Sequence, residues 1–174
     1  PEVSAHLTTL PFQHICFTGG TAIGKRVMRA AAENLASLTL ELGGKSPAVV
    51  DATAHLVDAS KRMAWGKCLN NGQVCIAPDY ALVEESIAGP FLDALKARFV
   101  DMYGADDHEQ LHNEQRSQMV NDHHFNRVVK LIEDATAKGA TVIHGGTWDA
   151  SSRRIAPTLL DQVTLDMDLS LIHI

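Results

Sequence analysis

Apolar residues along this chain follow two alternating rhythms: short β-prone runs that stop at glycine, and longer stretches in which they recur every three or four positions. Gln13–Thr18 is a run of the first kind and ends at Gly19-Gly20, a pair that permits a tight turn. The second rhythm takes over from Ala22 to Leu38, with Ile23, Val27, Ala31, Leu35 and Leu38 at helical spacing and strong helix formers at Ala30-Ala31-Ala32. Leu38–Leu42 then alternates apolar and polar up to Gly43-Gly44, and after Pro47 a further short run, Ala48–Val50, stops at Asp51. Asp51 or Thr53 caps a helix predicted over about Ala54–Leu69, whose stop is the left-handed-tolerant Asn70-Asn71-Gly72.

Tyr80–Val83 reads as a strand, and the helix after Ser86 carries Phe91, Leu95, Phe99 and Met102 towards Gly104. Residues 105–115 read as an exposed polar loop. A helix over about Ser117–Lys138, with Val120, Phe125, Val128, Val129 and Ile132 on its apolar side, closes at Gly139, and Thr141–His144 follows as a strand. Strands alternating with helices predict an α/β protein with a substantially parallel sheet. The chain shows neither an internal repeat nor a low-complexity linker.

Composition narrows the class of function. The 174 residues are 45% hydrophobic and 21% charged, ordinary globular usage. A formal charge of −6, with no basic run longer than Lys25-Arg26, Lys61-Arg62 and Arg153-Arg154, argues against nucleic acid and anionic lipid as partners. No apolar stretch approaches the roughly 18 residues of a membrane span. Cys16, Cys68 and Cys75 are odd in number and lack C-x-x-C spacing, so neither a disulfide framework nor a zinc site is indicated, and a reducing, cytoplasmic setting is expected.

Three stretches carry chemistry: Phe17-Thr18-Gly19-Gly20-Thr21-Ala22-Ile23-Gly24, Leu40-Glu41-Leu42-Gly43-Gly44-Lys45, and Gly72-Gln73-Val74-Cys75-Ile76-Ala77-Pro78. In this order, and with 34 positions between Glu41 and Cys75 (75 minus 41), they closely resemble the aldehyde dehydrogenase superfamily. The Cys75–Tyr80 continuation resembles its class-3 branch, including coniferyl-aldehyde enzymes. The resemblance implies Cys75 as nucleophile, Glu41 as the base that activates water, and NAD or NADP as hydride acceptor. It implies cofactor contact for Gly19, Gly20, Thr21, Ala22, Ile23, Gly24, Leu42 and Gly43, no metal, a small-molecule aldehyde as substrate, and a homo-oligomeric parent, dimer or tetramer. It also implies that residues 1–40 end a Rossmann-like dinucleotide domain and residues 41–168 belong to the α/β catalytic domain, the whole truncated at both ends. Thr164–Asp168 resembles the approach to a Glu-Glu-Ile-Phe-Gly-Pro motif, so residues 169–174, which read Leu-Ser-Leu-Ile-His-Ile, are expected to be an aberrant tail. A catalytically incompetent piece of such an enzyme is the alternative.

The residue types suit that chemistry on their own account. A planar aldehyde gives up hydride only after a nucleophile makes it tetrahedral, and a thiolate does this well. The amides of the Asn70–Gly72 loop are the candidate source of its stabilisation. The thioester left behind needs an activated water, and a carboxylate between Leu40 and Leu42, partly desolvated, is a suitable base. Cys16 and Cys68, outside any motif, read as core thiols.

Two other motifs compete. Gly19–Lys25 matches the first seven positions of a phosphate-binding loop, yet Arg26 stands where Ser or Thr must hold magnesium. His108-Glu109-Gln110-Leu111-His112 matches H-E-x-x-H, with Glu133 as a third ligand of a zinc metallopeptidase. Its polar surroundings read instead as a solvated segment.

Overall fold

The computed structural model describes residues 2–170, so residues 171–174 of the expected tail lie outside the described residues. The chain divides into two compact units, Pro1–Gly44 and Lys45–Ile174.

The first unit contains α1 (Glu2–Leu7), β1 (His14–Gly19), α2 (Thr21–Glu33) and β2 (Ser37–Leu42). The helical crossover lets β1 and β2 pair in parallel, with Phe17 opposite Leu40 and Thr18 opposite Glu41. Gly24, Val27 and Ala31 form the buried face of α2. The helix stops at Glu33 rather than reaching Leu38, because Leu35 takes a left-handed φ of 51°. Leu35 N–H then donates to Ala32 O (3.2 Å) and Ala36 N–H to Ala31 O (3.0 Å), which is a Schellman closure. The left-handed position holds a leucine, 93% exposed, where glycine is usual, so the stop carried no composition signal.

The second unit begins with β3 (Pro47–Val50), α3 (Leu56–Cys68), β4 (Tyr80–Val83) and α4 (Glu85–Tyr103). β3 and β4 are parallel across the α3 crossover, and Val50, Ala64, Phe91, Leu95 and Phe99 form the core beneath them. There follow α5 (Asp107–His112), α6 (Asp122–Ala137), β5 (Thr141–His144), β6 (Trp148–Asp149), β7 (Arg154–Ile155) and β8 (Leu159–Asp161). Met119, Phe125, Val129, Ile132 and Ile155 make a second core.

The α/β alternation is as expected, but the substantially parallel sheet is not what the described residues form. They form four two-stranded ladders, of which β5–β8 and β6–β7 are antiparallel, since connections without a crossover helix can only join antiparallel neighbours.

Two further corrections fall in the second unit. The helix predicted from Ser117 starts at Asp122, where Asn121 Oδ1 accepts the His124 N–H at 2.9 Å, and Val120 is 68% exposed in the extended segment before it. Residues 105–115, read as a loop, contain α5. Asp106 Oδ1 accepts the Glu109 N–H at 2.9 Å and Glu109 Oε2 accepts the Ala105 N–H at 2.7 Å, a reciprocal pair of caps.

Gln110 of α5 is 0% exposed. Its Nε2 donates to Gly104 O (2.9 Å), which leaves Oε1 to accept from His144 Nε2 (3.0 Å), so the neutral His144 carries its proton on Nε2. Burial pulls His144 below its ordinary value of 6.5, with the Asp107 charge opposing. A histidine held neutral in the fold but free to charge when unfolded stabilises above the ordinary value, and that contribution is lost as pH falls through it. Thermal unfolding of the chain is therefore expected to move to lower temperature on acidification from neutral pH, and His144→Gln to flatten that dependence.

Candidate active site

In the first unit, β1 and β2 end side by side. Glu41 lies opposite Thr18 and Leu42 opposite Gly19, so pairing places the carboxylate next to the glycine turn. Glu41 is on the exposed side of the alternating β2. α2 begins at Thr21 behind Gly20, which offers no side-chain cap, and a Cβ on Gly20 would meet nothing within 4 Å. The first N–H groups of α2 thus have no side-chain cap, while Ile23 N–H and Gly24 N–H both donate to Gly20 O. Gly24 is also a packing position. A Cβ there would sit 2.9 Å from Leu42 Cδ2, so Gly24 and Leu42 make the close approach of helix to strand.

Cys75 belongs to the second unit, on the loop that leaves α3. Three consecutive residues there are left-handed, Asn70 (φ 48°), Asn71 (φ 55°) and Gly72 (φ 78°), a run that asparagine and glycine tolerate best. They turn the chain out of the helix axis. The Gln73 side chain then fixes the loop to the extended segment before α6. Its Nε2 donates to Gln118 O (3.0 Å) and Asn70 O (3.1 Å), and its Oε1 accepts the Val120 N–H (2.9 Å). A turn closed by Ala77 N–H to Val74 O (3.1 Å) carries Cys75 at its crest, exposed. Beyond it, Asp79 binds the ammonium of Lys45 and, at 3.2 Å, that of Lys67, while its N–H donates to Ser46 O (3.1 Å). These contacts tie the starts of β3 and β4 together.

The other thiols divide. Cys68 packs against the α3–α4 core, as expected, and burial pushes its thiol up despite the nearby Arg116 charge. Its neighbour Tyr103 is pushed up to about 12, burial first and Cys68 second. Cys16 is exposed, contrary to the core reading, because it shares the outward face of the alternating β1 with His14 and Thr18.

The H-E-x-x-H residues do not converge. His108 and His112 stack with ring centroids 4.4 Å apart, His112 Nδ1 is hydrogen-bonded to His108 O at 2.8 Å, and Glu109 is spent as a helix cap. Among the described residues no group of three His, Cys, Asp or Glu is placed to hold a metal. Among them also, no helix is long and apolar enough to cross a membrane. Sequence reasoning missed Arg116, Gln73's tether and the Asp79 clamp; a lone arginine in a polar stretch gives no pattern to find.

The second unit thus presents an exposed thiol on a tethered loop, and the first a carboxylate beside a glycine turn. The chain belongs to the aldehyde dehydrogenase family, whose model matches residues 1–171. It is 50% identical over 152 residues to the mouse "Aldehyde dehydrogenase, dimeric NADP-preferring", a match covering 87% of this chain and 32% of that one. It is 42% identical over 172 residues to the coniferyl aldehyde dehydrogenase of a Pseudomonas species, covering 95% and 35%. Among solved structures, the substrate-bound Staphylococcus aureus AldH superposes with a TM-score of 0.87 at 40% identity, over 97% of this chain and 35% of that one. The chain thus spans about a third of the length of these relatives.

Proposed function

We propose that this chain carries the nucleophile and the base of an NAD(P)-dependent aldehyde dehydrogenase, which oxidises a small-molecule aldehyde to the carboxylic acid. The observation that carries the reading is Cys75, exposed at the crest of a tethered turn within the Gly-Gln-x-Cys motif. The first unit is assigned to the dinucleotide domain and the second to the catalytic domain, of a cytoplasmic homo-oligomer; the dimeric mouse relative and the free thiols support that setting.

The residues fit a dinucleotide in one respect the structure can test: the N-terminus of α2 has no side-chain cap and the space over Gly20 is open, which suits a pyrophosphate. Bound NAD or NADP supplies the hydride acceptor; the NADP preference in the mouse relative's name supports the class without choosing between them. Cys75 Sγ, as thiolate, attacks the aldehyde carbon, forming a C–S bond while the carbonyl oxygen takes the electron pair. When that oxygen's electrons fold back, the C–H pair leaves as hydride and a thioester remains on Cys75. Glu41 takes a proton from water, whose oxygen attacks the thioester, and the C–S bond breaks to release the acid and restore the thiolate.

The third of the relatives' length that is covered favours a second reading of the chain in isolation: by itself it does not turn over. Propanal or benzaldehyde is therefore to be mixed with NAD+ or NADP+, following nicotinamide absorbance, with this chain alone and with the chain joined to its flanking coding sequence. Turnover in the longer form is the expected result. There Glu41→Gln should slow thioester hydrolysis by about 10²–10⁴-fold, leaving an acyl adduct on the Cys75 peptide visible by mass spectrometry. No reduction in the longer form, or a Glu41→Gln variant as fast as its parent, refutes the reading.

A further inference from the structure

We propose that Arg116 is a positioning residue for the nucleophile loop, acting through Asn71; the inference rests on Cys75 being the nucleophile. Arg116 is only 7% exposed, and among the described residues it pairs with no carboxylate. Its guanidinium instead donates to three acceptors on separate parts of the fold: Gln110 O in α5 (3.0 Å), Ile155 O in β7, and Asn71 Oδ1. The same group lies over the Tyr103 ring, 5.3 Å from its centroid. A buried charge satisfied in this way cannot shift without leaving an acceptor unpaired. It is a fixed post.

Asn71 is the residue that needs one. It is the middle of the three left-handed residues, a run that persists only where the surroundings over-determine it. Leu69–Gly72 forms one short 3₁₀ turn, closed at its end by Gln73 N–H to Asn70 O at 3.2 Å. The Gln73 side chain holds the end of the turn nearer Cys75, and Asn71 Nδ2 adds only a weak contact to Met119 Sδ at 3.7 Å. Arg116 therefore supplies the charge-assisted bond that holds the centre of the turn. Without it the loop relaxes towards ordinary backbone conformations, and the crest bearing Cys75 loses its fixed place.

The test is residue-resolved amide hydrogen exchange at Gln73 and Ala77, hydrogen-bonded amides on either side of Cys75, with Val129 and Ile132 in α6 as the control for global folding. Asn71→Gly keeps the left-handed conformation but removes the acceptor. It should speed exchange at Gln73 and Ala77 by about tenfold, the scale of one charge-assisted hydrogen bond, with the α6 amides unchanged. Asn71→Asp keeps an acceptor oxygen and should retain the parent's exchange rates. Arg116→Met should reproduce the Asn71→Gly effect and add little to it in the double variant. In the longer form used for turnover, Asn71→Gly should lower kcat by about tenfold and leave KM for the nicotinamide cofactor unchanged.

Unchanged exchange in Asn71→Gly, effects that simply add in the double variant, or an unchanged kcat would each overturn the proposal. If Arg116→Met does not fold, the two Asn71 variants decide alone. Turnover that survives Cys75→Ser refutes the assignment of the nucleophile, and the exchange rates still decide whether Arg116 holds the loop.

Discussion

Cys75→Ser should abolish aldehyde oxidation in the longer form, by roughly four orders of magnitude or more in kcat/KM, with no change in melting temperature. The size of the effect follows from the chemistry. A serine hydroxyl at neutral pH is almost wholly protonated and, unlike a thiol, has no populated anion to attack with, so the first bond of the reaction does not form. The unchanged stability follows from the structure. Cys75 is exposed, and the bonds that shape its loop come from Gln73, Asn71 and the backbone, none from the thiol. Loss of turnover accompanied by unfolding, or turnover within a factor of about ten of the parent, contradicts the assignment. Intact-mass measurement after incubation with aldehyde and cofactor gives a second readout, since no acyl adduct should appear on the variant.

Phe91→Ala should have the largest effect on stability, about 3–5 kcal/mol. Phe91 is 1% exposed and lies in one cluster with Val50 at the end of β3, Ala64 on α3, and Leu95 and Phe99 one and two turns further along α4. Truncation removes apolar contacts with both helices and leaves a void that the parallel pair β3–β4 cannot collapse to fill. Domains hold only about 5–15 kcal/mol in total, so the second unit becomes marginal. The denaturation midpoint should fall steeply, whereas Leu82→Ala, at a position 57% exposed on β4, should change it little. Equal effects at the two positions would show that Phe91 is not the centre of that core.

Both predictions rest on features that differ in how far the sequence disclosed them. The helical spacing of Phe91, Leu95 and Phe99 marked the buried face of α4 directly, and β1, β2, β3, β4 and β5 fall where β-prone runs meet glycine, proline or aspartate. The thiol and the carboxylate were visible because their motifs are contiguous. What escaped notice has physical causes. The stop of α2 is made by Leu35 in a conformation leucine seldom adopts, so no glycine announced it. α5 was hidden by polarity: Asp106 and Glu109 look like loop residues until their reciprocal hydrogen bonds are seen, although an Asp-x-x-Glu spacing is itself a capping signature. β6, β7 and β8 are two or three residues long, too short for any period to emerge. Arg116 depends on acceptors 6, 39 and 45 positions away, a relation that exists only in three dimensions.

The Gln73 amide imitates a peptide group, giving a proton to Gln118 O and taking one from Val120 N–H, much as a neighbouring strand would. Because that tether has no net charge, dissolved ions should barely affect it. The carboxylate of Asp79, gripped by two partly exposed ammonium groups, is the opposite kind of fastening and weakens as ionic strength rises. High salt should therefore loosen the ionic fastening beyond Pro78, while the Gln73 tether and the uncharged bond from Asp79 N–H to Ser46 O stay in place, so that the nucleophile's loop slackens on one side without coming free.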